Sequence, residues 1–155
     1  MISTAVDTSR MDAETKNIQV MVGGTSDLQV FGNEQQVLAA VSNLVSNAVS
    51  YSENDSTVLV TTRVDEGSVD ISVVDQGIGI PADELDRIFE RFYRVDPARH
   101  RSTGGTGLGL SIVKHVAATH GGEVRVWSAE GQGSTFTLTL PQHFGAERKT
   151  QEDSP

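Results

Sequence analysis

From Gln35 to Ser52 the sequence carries no charged side chain, although 21% of the whole chain is charged. Within that stretch Val37, Leu38, Val41, Leu44, Val45, Ala48 and Val49 recur at i, i+3, i+4 spacing. The spacing predicts a helix over 33–50, with Asn33 as its N-cap and one apolar stripe facing a core. Asn43, Asn47 and Ser50 fall on nearly the opposite side. A solvent face would carry lysines and glutamates; this one carries amides and hydroxyls. Two readings are open. Either the helix is covered on both sides and its asparagines bond internally, or the polar side looks into a ligand cavity. In the second case two amide oxygens one turn apart are hard, neutral ligands suited to Mg²⁺, which shares its coordination with waters and substrate phosphates.

The rest of the composition narrows the choice. A chain of 155 residues, 37% of them hydrophobic, suffices for one globular core. No apolar run approaches the roughly 20 residues of a membrane-spanning helix, and no signal-peptide pattern opens the chain. With no cysteine, thiolate metal sites, thiol nucleophiles and disulfide scaffolds are excluded. A net charge of -9 disfavours nucleic acid as the main partner. The expectation is a soluble, cytoplasmic domain. Against this acidity, Arg87, Arg91, Arg94, Arg99 and Arg101 crowd one segment whose only acids are Glu90 and Asp96. Such a run is either a solvated face or a local anion site.

Short strands are predicted over 18–22 and 28–31, with a turn at Gly23-Gly24, and a strand pair over 57–64 and 69–74, turned at Asp65-Glu66-Gly67. Pro81 opens a short helix, 87–93 continues in helical or turn form, and 94–107 is a polar, Gly-rich loop. A second long helix runs over 108–119 and stops at Gly121-Gly122. Strands over 123–127 and 134–140 turn through Gly131-Gln132-Gly133, and Pro141 ends the sheet. Hairpin-like pairs outnumber crossovers, so the fold class is an α/β, more narrowly α+β, two-layer sandwich: a mixed, largely antiparallel five-stranded sheet covered on one face by about three helices. Residues 1–17 read as a linker or as the end of a longer helix, 18–140 as the domain and 141–155 as a disordered tail.

Two glycine motifs carry chemistry. Asp75-Gln76-Gly77-Ile78-Gly79-Ile80-Pro81 stands where a strand ends. Glycines there permit positive φ and close approach of a ligand. A buried Asp75 carboxylate would need donors; the exocyclic amino group of adenine supplies one, whereas guanine presents a repelled carbonyl oxygen. Gly104-Gly105-Thr106-Gly107-Leu108-Gly109-Leu110 runs from the arginine-rich loop into a helix. Free backbone N–H groups at a helix start hold phosphate, although the spacing is neither a Rossmann fingerprint nor a Walker A loop.

Taken in order, these residues resemble the ATP-binding catalytic domain of bacterial two-component sensor histidine kinases, with wording nearest to actinobacterial membrane sensors. Asn43 to Ala48 is similar to that family's N box, Asp75 to Gly79 to its G1 box, Ile88 to Arg94 to its F box, and Gly105 to Leu110 to its G2 box. Gly133-Ser134-Thr135-Phe136 is similar to the strand motif that closes the nucleotide pocket.

The resemblance implies ATP and Mg²⁺ as cofactors. It gives Asn47, with Asn43, to Mg²⁺, and Asp75 to the adenine amino group. Gly77 and Gly79 would admit the base beside Ile80, and Tyr51 would lie near base or phosphates. Arg94 and the following loop would form a lid, with Gly105, Thr106, Gly107 and Gly109 at its phosphate-contacting end. Leu108 and Leu110 would line the pocket, Thr135 would close it, and Phe89 and Phe92 would anchor the lid by packing. Asn43, Asn47 and Arg94 would be the catalytic set. Where many members have a lysine, this chain has Ser50, leaving its role to Arg94, Arg99 or Arg101.

None of His100, His115, His120 or His143 has the context of the family's phosphorylated histidine. The acceptor is therefore expected on a separate dimerisation domain upstream, in a membrane-anchored homodimeric parent whose phosphoryl group passes to a response regulator. The fragment itself is expected to be monomeric. A hydrolase of the gyrase, heat-shock and mismatch-repair kind would place a glutamate where Asn43 stands, to activate water. A serine kinase acting on a sigma-factor regulator, or a silent nucleotide-binding module, is a further alternative.

Overall fold

The computed structural model describes residues 2–25, 30, 32–85, 87–90 and 109–142. Its elements are α1 (Ile2–Asp7), α2 (Arg10–Thr15), β1 (Gln19–Gly24), α3 (Glu34–Tyr51), β2 (Thr57–Asp65), β3 (Ser68–Asp75), a 3₁₀ turn (Ala82–Glu84), α4 (Gly109–Thr119), β4 (Glu123–Ala129) and β5 (Gly133–Pro141). The five strands form one sheet in the order β1-β2-β3-β5-β4. Only β1 and β2 pair in parallel; the other three pairings are antiparallel. This is the predicted mixed, largely antiparallel sheet.

Alternation along the strands sends Val58, Val60, Val69, Ile71, Val73, Phe136, Leu138 and Leu140 to one face, all buried. The stripe of α3 lies against them, with Val37, Ala40, Val41, Leu44, Val45, Ala48 and Val49 buried. Val113, Val116 and Ala117 of α4 complete the layer. Full burial of side chains such as Leu44 and Leu138 is worth about 1.5–3 kcal/mol each. Asn33 caps α3 by accepting the Gln36 N–H at 3.1 Å. Helix α4 ends in a pair of bonds from Gly122 N–H to Ala117 O and from Gly121 N–H to Ala118 O, with Gly121 at φ +72. That Schellman closure is why the chain turns there. Glu66 and Gly67 both take positive φ in the β2–β3 turn, matching the twist of a tight hairpin.

The opening segment, for which a linker or a helix end was expected, is two short helices, and Ala5, Val6 and Ala13 join the core; too few apolar residues lie there to show a period. Lys16, just after α2, donates to the carbonyls of Val49 and Ser50 at 2.9 and 3.0 Å, capping the C-terminus of α3. Gly23 and Gly24 are no turn but the end of β1, paired with Thr61 and Thr62. Of the strand expected over 28–31 only Val30 is described, bridging Gln142. The expected loop over 94–107 and the tail beyond Gln142 lie outside the described residues.

Candidate nucleotide site

At one end of the sheet the inner face carries a polar row. Asp75 of β3 registers with Ser134 of β5, and Ser134 with Ser128 of β4. Asp75 is only 6% exposed. Its Oδ1 accepts the N–H groups of Gly77 at 3.0 Å and Ser134 at 3.1 Å. No hydrogen bond to Oδ2 is seen among the described residues. Burial pushes the carboxyl up from 3.8 to about 6, against the opposing pull of the two N–H donors. A buried acid so placed needs one more donor when ionised.

The chain leaving Asp75 is fastened at several points. Gln76 Oε1 accepts the Thr57 N–H at 3.1 Å. Gly77 bridges to Ser52 beside the C-terminus of α3. Ile78 accepts the Gly131 N–H at 2.8 Å, and the Ile80 N–H donates to Ser128 Oγ at 2.7 Å. A Cβ at Gly77 would strike the Tyr51 carbonyl, and one at Gly79, whose φ is +74, the Ala129 carbonyl. Both glycines let backbone pack on backbone, and Gly79 takes the positive φ expected of this motif. Ile80 packs partly buried on the core. Ser52, 1% exposed, has a hydroxyl with no protein partner among the described residues.

Asn43 and Asn47 are half-buried, one turn apart on α3. Asn43 Nδ2 donates to the Ala39 carbonyl at 2.9 Å, which turns Oδ1 toward the first residue of α4. A Cβ at Gly109 would lie 3.0 Å from that oxygen. The uncharged face of α3 thus meets the start of α4, where Gly109 and Leu110 are half-buried. No hydrogen bond of the Asn47 side chain is seen among the described residues. Tyr51, also half-buried, ends the helix beside the Gly77 bridge.

Thr135 is misplaced by the sequence reading. Alternation turns it to the outer face, in a trough with Val74, Trp127 and Thr137, while its neighbour Ser134 faces inward at Asp75. Phe89 packs edge-on against Phe136, the centroids 6.3 Å apart, a packing contact as expected. Arg94, Arg99, Arg101, Phe92, Gly105, Thr106, Gly107 and Leu108 lie outside the described residues. Ser128, which bonds Ser134 Oγ beside Asp75, was missed, and Ser134 was named only within the strand motif. The available signal was a serine at position 128 on the inward parity of β4, after Val124 and Val126.

A buried acceptor at a strand end, a helix face of amides and a second helix starting beside it define a nucleotide-binding α/β sandwich. The chain belongs to the histidine kinase-, DNA gyrase B-, and HSP90-like ATPases, whose family model matches residues 32–143. Within that family it corresponds to the ATP-binding catalytic domain of sensor histidine kinases. It is 46% identical over 152 residues to the sensor-like histidine kinase SenX3 of Mycolicibacterium smegmatis, covering 98% of this chain and 40% of that protein. It is 48% identical over 159 residues to SenX3 of Mycobacterium tuberculosis, covering 100% and 39%. Among solved structures, the mycobacterial sensor histidine kinase MprB superposes with a TM-score of 0.75 at 34% identity, covering 91% of this chain and 94% of that one. The chain spans about two fifths of the length of the curated relatives it matches. These relatives favour a sensor kinase over the hydrolase and the serine kinase considered from sequence.

Proposed function

We propose that this domain presents Mg²⁺-ATP for transfer of the γ-phosphoryl group to a histidine on a separate dimerisation domain, from which it passes to an aspartate of a response regulator. The observation that carries the reading is the Asp75 carboxylate: nearly buried, held through Oδ1, and with Oδ2 left to accept the adenine amino group. That ATP is the nucleotide accords with the family, and with the solved full-length ShkA in complex with AMPPNP, 31% identical with a TM-score of 0.79 over 93% of this chain and 30% of that one.

The amide oxygens of Asn43 and Asn47 fit Mg²⁺, being uncharged, half-buried and one turn apart at the start of α4. When bound, the ion neutralises phosphate charge. Asp75 orients the base, Gly109 and Leu110 border the phosphate side, and Tyr51 flanks the cleft. Arg94 and the segment through Gly107 supply the cationic cover. The transfer itself needs positioning and charge neutralisation more than covalent chemistry from the protein. The opening helices, whose Ala5, Val6 and Ala13 pack into the core, join this domain to the dimerisation helices of a membrane-anchored homodimer.

The test is incubation of the chain with labelled ATP and a separately prepared dimerisation domain. Label appearing on an acid-labile phosphohistidine supports the reading. Rapid phosphate release by this chain alone, without transfer, contradicts it.

A further inference from the structure

Ser128 Oγ lies 2.7 Å from the Ile80 nitrogen, 2.7 Å from Ser134 Oγ and 3.0 Å from the Gly133 carbonyl. A hydroxyl offers one proton and two lone pairs. The Ile80 N–H takes one lone pair. The Ser128 proton goes either to Gly133 O, with Ser134 O–H donating to the second lone pair, or to Ser134 Oγ. In both arrangements one side chain ties the loop after Asp75 to the strand whose next N–H, that of Ser134, holds Asp75 Oδ1 at 3.1 Å. The circuit Ile80–Ser128–Ser134–Asp75 closes on itself across β3, β5 and β4. The loop's other fastenings are the backbone contacts of Gly77 with Ser52 and of Ile78 with Gly131 and, at its start, Gln76 Oε1, which accepts the Thr57 N–H at 3.1 Å. Ser128 supplies the side-chain link at the loop's far end, from β4, where it is half-buried among the inward residues.

We propose that Ser128 is a positioning residue for base recognition: it fixes the 76–80 loop and Ser134 together so that the free oxygen of Asp75 is aimed at the adenine amino group. This rests on the reading of Asp75 given above. Ser128 touches neither base nor phosphates, so its loss acts on the base-dependent part of affinity. Without its hydroxyl the Ile80 N–H has no acceptor, the loop relaxes, and Asp75 keeps its charge but loses its aim.

The experiment is calorimetry of MgATP, and of magnesium tripolyphosphate as a base-free probe, with the wild-type chain, S128A and S128T. S128A is expected to weaken MgATP about 5–10-fold, the scale of one lost hydrogen bond, with tripolyphosphate unchanged and S128T restoring binding. S128A binding MgATP within about twofold of wild type, or losing tripolyphosphate in equal measure, overturns the positioning role. A wild-type chain that takes up no MgATP overturns both readings, whereas wild-type uptake with an unweakened S128A overturns this one alone. Hydrogen exchange on the wild-type chain reads the contact without any variant. The Ile80 amide is expected to be protected before nucleotide is added, and free exchange there overturns the proposal.

Discussion

The backbone N–H of Asn33 donates to Nε2 of His120 at 3.0 Å, joining the start of α3 to the end of α4. The ring's other nitrogen, Nδ1, lies 2.8 Å from the Val116 carbonyl. Both bonds are satisfied by the neutral tautomer with its proton on Nδ1. Gly32 lies so close to the ring that a Cβ would collide with it. His120→Ala is expected to cost about 1–2 kcal/mol, a hydrogen bond plus lost packing. Urea denaturation should show a lower midpoint with an unchanged slope; an unshifted midpoint would remove His120 from the stabilising set.

Those contacts show where a sequence is silent. The helices α3 and α4 and the hairpins were legible because period and turn residues are local signals, as in the stripe from Val37 to Val49 and at Glu66-Gly67. The link from His120 to Asn33 spans 87 positions and no pattern announces it. Asp75 could be singled out although a strand-ending Asp before glycines is often only a turn residue, because it falls in order with the other motifs. Thr135 was misassigned because one step of strand register reverses the face. Residues Gly133 to Phe136 fix the motif but not its parity. The pairing of Ser134 with both Asp75 and Ser128 settles that. The positive φ expected of the motif is present at Gly79, but the backbone that a side chain at Gly77 or Gly79 would strike comes from Tyr51 and Ala129, remote in sequence.

Asp75 makes the domain's behaviour depend on pH in two opposite senses. In the free fold its carboxyl is raised from 3.8 to about 6, so the folded state favours the protonated form. Its contribution to stability is then greatest below about 4 and is lost as pH rises to about 6, by up to roughly 3 kcal/mol. In the proposed role of Asp75 the ionised form is the stronger acceptor for the adenine amino group, so ATP affinity should rise over the same range and level off above it. Asp75→Asn should abolish both dependences while weakening ATP by about 1.5–3 kcal/mol at neutral pH. Because the nucleotide's own phosphates titrate alike with either protein, the difference between the two pH profiles isolates the side chain. Parallel profiles, or equal affinity of the unmutated chain for ATP and GTP, would count against the role.

Gly79 and Gly131 share positive φ, at +74 and +78, but differ in surroundings. A Cβ at Gly79 would strike the Ala129 carbonyl, whereas nothing lies within 4 Å of one at Gly131. Gly131→Ala should therefore cost only the backbone strain, about 1–2 kcal/mol. Gly79→Ala should exceed it by at least about 1 kcal/mol and also weaken ATP, because the loop must shift off β4. Thermal melts and calorimetry on the two variants separate strain from displacement. Equal losses would mean that the close approach does not matter.

Asn47 separates metal from fold. It is half-buried and makes no side-chain hydrogen bond seen among the described residues, so Asn47→Ala should alter stability by no more than about 0.5 kcal/mol. In the presence of Mg²⁺ the same change should weaken ATP at least about tenfold, the loss expected when a charge-assisted ligand is removed. In excess chelator the wild-type and variant chains should bind ATP alike, because the amide then has no ion to hold. Calorimetry in the two buffers reads this difference. A loss that persists in chelator would assign Asn47 to the nucleotide itself, and no loss in either would take it out of the site.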